Sequence, residues 1–114
     1  MLPKENRLKK KKDFEKVFKK GRGVNQDFLF LKFQKNNIKE SRFGFLVSQK
    51  ISKKAVIRNK IKRRLRGLIN SNLSKIKKGN DIILVTRPGL EKNDFQSTKE
   101  MINTILKKAN LFND

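Results

Sequence analysis

Residues 55–69 read Ala-Val-Ile-Arg-Asn-Lys-Ile-Lys-Arg-Arg-Leu-Arg-Gly-Leu-Ile, and no other stretch constrains the chain as much. Ile57, Ile61, Leu65, Leu68 and Ile69 fall at i, i+4, i+8, i+11 and i+12. On a helix turning by about 100° per residue they form one apolar stripe. The spacing predicts a helix over roughly 53–72. With Ile61 and Leu65 inward, Arg58, Lys62 and Arg66 line one flank, each a turn above the last. Asn59 and Arg63 sit beside them on the exposed side, and Lys60 and Arg64 take the opposite flank. Such a helix needs an apolar surface for its stripe and an anionic partner for its outer face, because no acid lies within it. Side chains stacked at about 5.4 Å per turn suit the spacing of successive phosphates. Guanidinium groups grip phosphate bidentately, and an amide adds neutral hydrogen bonding to phosphate, 2′-hydroxyl or base.

The rest of the chain carries the same charge. It has 31 Lys+Arg against 10 Asp+Glu in 114 residues, a formal charge of +21. That excess repels itself unless a polyanion neutralises it, and it is the electrostatic footprint of nucleic-acid binding. Hydrophobic residues reach only 35%, below the ~45–50% of ordinary globular chains, so one small core and one domain over 1–114 are expected. Cysteine and histidine are both absent. This excludes disulfides, thiolate zinc sites, cysteine nucleophiles and histidine-based triads. Beyond Glu5, the acids Asp13, Glu15, Asp27, Glu40, Asp81, Glu91, Asp94, Glu100 and Asp114 are scattered, with no close carboxylate motif for paired Mg²⁺ ions. No catalytic residue and no metal site is therefore expected on the protein. No apolar run approaches the ~18 residues of a membrane span. The opening Met1-Leu2-Pro3-Lys4-Glu5 lacks the apolar segment of a secretory signal, so a cytoplasmic location is expected.

Along the chain, 4–12 is a mostly basic run expected to be extended or loosely ordered when free, making 1–12 a flexible N-terminal segment. Asp13 is placed to cap a short helix from Phe14 to Lys20, ended by Gly21 and Gly23. Residues 28–33 read as a strand with Phe28 and Phe30 on one face and Leu29, Leu31 and Phe33 on the other. Val24 and its neighbours add a short strand before it. Residues 43–48 form a second, central strand and 81–86 a buried one. Asn93 or Asp94 caps a final helix with Thr98, Met101, Ile102, Ile105, Leu106 and Ala109 inward. The order α-β-β-(β)-α-β-α predicts an α+β fold, a small sandwich with helices packed on one central sheet.

All 9 aromatic residues are Phe. Phe14 and Phe18 lie at i, i+4 on the first helix, and two readings stand for them: core anchors, or the border of a groove where unstacked bases rest. Lys9, Lys10, Lys12 and Lys16 flank them, which suits a cationic trough. Phe43 and Phe45 read as core. The exposure of Phe28 and Phe30 is not set by the pattern.

Residues 55–66 also resemble the signature helix of the protein subunit of bacterial ribonuclease P. Arg42-Phe43-Gly44-Phe45-Leu46-Val47-Ser48-Gln49-Lys50 supports the resemblance, as do Asn6-Arg7-Leu8-Lys9, Asp13-Phe14, Val17-Phe18-Lys19 and the strand Asp81–Val85 with Arg87-Pro88. It covers nearly the whole chain. The resemblance implies the order α-β-β-β-α-β-α with a left-handed β-α-β crossover, against the usual hand. It implies that a large catalytic RNA, using Mg²⁺ held mainly by that RNA, cleaves the 5′ leader from precursor tRNA. By matching position, Arg58, Asn59, Lys60, Lys62, Arg63 and Arg66 would meet the catalytic RNA, and Lys10, Phe14 and Phe18 would hold the leader. No membrane and no second protein is required. Three departures stand out: Lys60 where Arg is usual, which loses the planar fork, Gln49 for a frequent Lys, and Ser52-Lys53-Lys54 for a Gly-Asn. From composition and pattern alone, a general basic RNA-binding or ribosome-associated protein, or a DNA-compacting one, stays open beside this reading.

Overall fold

The computed structural model describes residues 2–113. Four strands, β1 (Arg22–Gln26), β2 (Leu29–Lys35), β3 (Arg42–Val47) and β4 (Asn80–Thr86), form one sheet in the order β1-β2-β4-β3. β1 and β2 are an antiparallel hairpin, β2 pairs antiparallel with β4, and β3 runs parallel to β4. A parallel neighbour needs a crossover, and α2 (Ala55–Ser71) supplies it.

Alternation along the strands divides the sheet into two chemically distinct faces. Leu29 and Leu31 of β2, Ile82 and Leu84 of β4, and Phe43 and Phe45 of β3 are buried in the main core with α2 and α3 (Phe95–Lys108). On the opposite face Ile83, half-buried Val85 and Phe14, Leu8 and Val17 make a smaller cluster that docks α1 (Lys11–Lys20). The sheet thus lies between α1 and the α2–α3 layer. β2 and β4 are the two inner strands, and β4 is apolar on both sides. β3, expected from its apolar run to be central, is instead an edge strand, its apolar residues Phe43 and Phe45 covered by the main core on one face. The expected split of β2 holds: Leu29 and Leu31 are buried in the main core with Phe33 packed against it, while Phe28 is exposed and Phe30 half-buried.

Helix α3 matches its sequence pattern. Asp94 is the cap, accepting a hydrogen bond from the Ser97 N–H at 2.8 Å, and Thr98, Met101, Ile102, Ile105, Leu106 and Ala109 are all buried.

Three further expectations are corrected. The segment 4–12 is not loose: Lys4–Asn6 forms a 3₁₀ turn, Arg7 bridges Phe43 in parallel, and the Leu8 N–H donates to the Phe43 carbonyl at 2.9 Å. Leu2 and Leu8 are buried, so two apolar side chains in a basic run anchor it over the β3 edge. Next, α1 begins at Lys11, and Lys10 rather than Asp13 is its cap residue, without a side-chain bond. Asp13 points instead to Arg42 at 3.4 Å. Finally, the α2 stripe is buried only at its C-terminal half. Leu65, Leu68 and Ile69 are in the core, each contributing about 1.5–3 kcal/mol, Ile61 is half-buried, and Ile57 is 37% exposed. Ile57 and Ile61 line a cavity of about 150 Å³ with Leu65, Leu90 and Thr98, so the first turns of α2 face the core side across an unfilled space.

Candidate nucleic-acid interface

The C-terminal half of α2, anchored in the core, fixes the direction of the N-terminal half. Arg58, Lys62 and Arg66 are half-buried along one flank, and Asn59, Lys60, Arg63 and Arg64 are exposed, as the helical spacing predicts. The Arg58 guanidinium donates to the Ser52 carbonyl at 2.9 Å, steadying the loop that enters the helix. Arg66 lies over the Phe45 ring, 5.9 Å from its centroid, a distance at which cation and ring attract. The ion pairs among the described residues involve only Arg42 and Lys78 as cations. Among the described residues no acid forms an ion pair with a cation of α2, and Glu91, across a cavity from Lys60 and Arg64, is the acid that faces the helix.

The second surface is the α1 face of the sheet. Phe18 is 38% exposed on α1, and Phe14 is half-buried between Leu8, Val17 and Ile83. Phe14 thus anchors α1 on one side and lines a cleft on the other. It lies so close to the sheet because residue 44 is Gly: a Cβ there would stand 2.4 Å from the Phe14 ring. Lys10 is exposed at the N-terminal end of α1. At the other end the Lys32 ammonium donates to the Phe18 carbonyl at 2.7 Å, satisfying an end carbonyl and opposing the negative end of the helix dipole. Arg42 locks α1 in place from below. Its guanidinium forks onto Asp81 at 2.9 and 2.7 Å and reaches Asp13 at 3.4 Å. The hydrogen bonds it donates to Asp81, with the charges of both acids, raise the Arg42 pKa above its ordinary value against partial burial.

Sequence reasoning missed several residues beside this groove. Phe30, Leu46 and Val85 share the face of the sheet that carries Ile83, with Phe30 opposite Val85 and Leu46 next to it. Leu46 is 38% exposed. Arg87 stands 5.5 Å over the Phe30 ring and bonds Asn25. The signal for Leu46 and Val85 was the two-residue period of their strands. Arg87 carried none, since only the fold brings it over β2. A cleft of about 340 Å³ lined by Arg7, Lys9, Phe14, Phe45 and Arg66 connects the groove to the α2 flank. Among the described residues no three acids gather closely enough to hold a metal ion, and no helix is long and apolar enough to cross a membrane.

Comparison with known proteins identifies the family. The ribonuclease P family profile matches residues 2–110. The chain belongs to the ribonuclease P protein family. It is 38% identical over 112 residues to the ribonuclease P protein component of Syntrophomonas wolfei, covering 98% of this chain and 93% of that one. It is also 38% identical over 110 residues to that of a Pseudanabaena species, covering 96% and 95%. The RNase P protein of Staphylococcus aureus superposes with a TM-score of 0.88 at 33% identity, covering 95% of this chain and 98% of that one. The Thermotoga maritima protein gives 0.82 at 34%, covering 90% and 96%. The α+β order of strands and helices is that of the family. As a ribonuclease P protein, the chain is the protein component of a ribonucleoprotein endoribonuclease and assists 5′ maturation of tRNA. Family membership implies partnership with ribonuclease P RNA and precursor tRNA.

Proposed function

We propose that the two surfaces of this ribonuclease P protein divide its work. The outer face of α2, through Arg58, Asn59, Lys60, Lys62, Arg63 and Arg66, binds the catalytic RNA, and Lys10, Phe14 and Phe18 hold the 5′ leader of precursor tRNA against the open sheet. The observation that carries this is the placement of a cationic helix without ion pairs and an aromatic-walled groove on opposite sides of the β3 edge, linked at Arg66. Phosphates on the two RNAs repel where they converge. Fixed cations there raise substrate affinity and lower the Mg²⁺ the RNA needs. The Mg²⁺ and the cleavage chemistry belong to the RNA in this reading. Asp13 and Asp81, the pair of carboxylates brought together by the fold, are both engaged by Arg42, which fits a structural role for them. The reading needs no second protein and sets the chain in the cytoplasm.

The test is cleavage of precursor tRNA at low Mg²⁺ by protein alone, catalytic RNA alone, and both together. Cleavage only with both supports the proposal. Cleavage by the protein alone moves the chemistry onto the chain, and RNA activity unchanged by protein leaves a general RNA-binding role.

A further inference from the structure

A cavity of about 510 Å³ opens on the α3 side of the sheet, lined by Lys20, Arg22, Phe33, Lys35, Lys77 and the turn at Asn110. None of the residues assigned above to the catalytic RNA or the leader lines it. Its size lies within the roughly 300–1,000 Å³ of small-ligand clefts.

The cavity follows from the fold. Arg22 of β1 stands opposite Phe33 of β2, and Lys35 opposite Asn80 of β4, so alternation sends Arg22, Phe33 and Lys35 to the same face. Past the end of α3, the Lys77 N–H donates to the Leu111 carbonyl at 2.7 Å, which holds the C-terminal turn as the far wall. Asn110 takes φ 56 there, a left-handed conformation that Asn tolerates better than most residues. Among the described residues, none of the four cations makes an ion pair, and no acid lines the cavity. Four like charges crowd a concave wall with a half-buried aromatic ring and the Asn80 and Asn110 amides beside them.

We infer that this cavity is a second RNA site, taking one or two nucleotides of a single strand, with the phosphates on Lys20, Arg22, Lys35 and Lys77 and a base against Phe33. A phosphate alone is satisfied by the cations. The ring in the wall adds the stacking by which proteins hold single strands without reading their sequence, and the amides supply neutral contacts to sugar or base edge. A phosphodiester strand therefore fits better than an acidic peptide, which has nothing to place on Phe33.

Titration of the isotope-labelled full chain with a uridine tetranucleotide, followed by NMR, tests this. The expected result is saturable movement of the Phe33 ring and the Lys35 and Lys77 amides. It persists in Arg58→Ala/Arg63→Ala and is weakened about tenfold or more in Lys35→Glu/Lys77→Glu. The persistence arm separates this site from the α2 surface, so either can fail alone. Inorganic phosphate should move the amides without moving the ring. Ring shifts reproduced by phosphate or by hexaglutamate, or an absence of shifts in the unmutated chain, would overturn the inference.

Discussion

Arg42 is the residue whose loss the structure prices most directly. Its fork onto Asp81 is bidentate, and Asp81 is a largely buried carboxylate, its side chain 11% exposed. In Arg42→Ala, Asp81 keeps one side-chain donor, the Asn36 amide at 2.8 Å. Stranding a mostly buried carboxylate costs about 2–3 kcal/mol. The longer Asp13 contact at 3.4 Å, with side chains 20% and 25% exposed, adds less than about 1 kcal/mol. The expected loss is about 3 kcal/mol. With an unfolding entropy of about 2.1 cal/mol/K per residue over a chain of this length, that lowers Tm by about 12 °C. Arg42→Lys keeps the charge but not the fork and should lose about half as much. The pairing is already complete well above neutral pH, because Asp81 raises the Arg42 pKa, so Arg42 itself adds no pH dependence near neutrality. The assay is thermal and urea unfolding of the three proteins together with Arg42→Ala/Asp81→Asn. Removing the stranded charge in the double variant should recover at least about 1 kcal/mol. A loss below about 0.5 kcal/mol for Arg42→Ala, or no recovery in the double variant, would refute the reasoning.

Three other outcomes follow from the same geometry. Arg58→Ala/Arg63→Ala should leave Tm nearly unchanged and weaken assembly with the catalytic RNA, lowering the slope of log affinity against log salt by about 1.4–1.8 units for two lost phosphate contacts; filter binding across a salt series measures it. Gly44→Ala drives a Cβ into the Phe14 ring at 2.4 Å, so it should cost about 1–3 kcal/mol and reduce the preference for leader-bearing tRNA, read by unfolding and by paired substrate affinities. The Ser97 N–H holds the Asp94 carboxyl below its ordinary pKa. Its contribution is present at neutral pH and lost as pH falls through that lowered value. The protection of the Ser97 amide, its exchange rate taken relative to the intrinsic rate at the same pH, should therefore fall in acid, and Asp94→Asn should abolish that dependence.

Periodicity made the secondary structure legible because the core is small and each element meets it with one face. The stripe of α3 and the alternation of β2 translate directly into burial. The same logic fails where burial depends on what lies opposite. Ile57 sits on the α2 stripe by spacing, yet the cavity between it and Leu90 is not filled by side chains and leaves it exposed. In the N-terminal segment the surrounding lysines hide Leu2 and Leu8, and only the open β3 edge explains their burial. Asp13 has the residue type and position of a helix cap, but a charged partner 29 residues away in the chain claims it. The cationic face of α2 was readable in full, since exposure there needs only the helix. The groove was half readable: Phe14 and Phe18 by spacing, but not Phe30, Arg87 or Leu46, which only the sheet order brings to one face.

Separation of the two surfaces is tested most directly in the assembled ribonucleoprotein, by measuring both its assembly constant and its affinity ratio for precursor over mature tRNA. Phe18→Ala, exposed on α1, should reduce the ratio while leaving assembly unchanged. Arg58→Ala/Arg63→Ala should weaken assembly while leaving the ratio of the assembled fraction intact. Both variants shifting both quantities together would contradict the account.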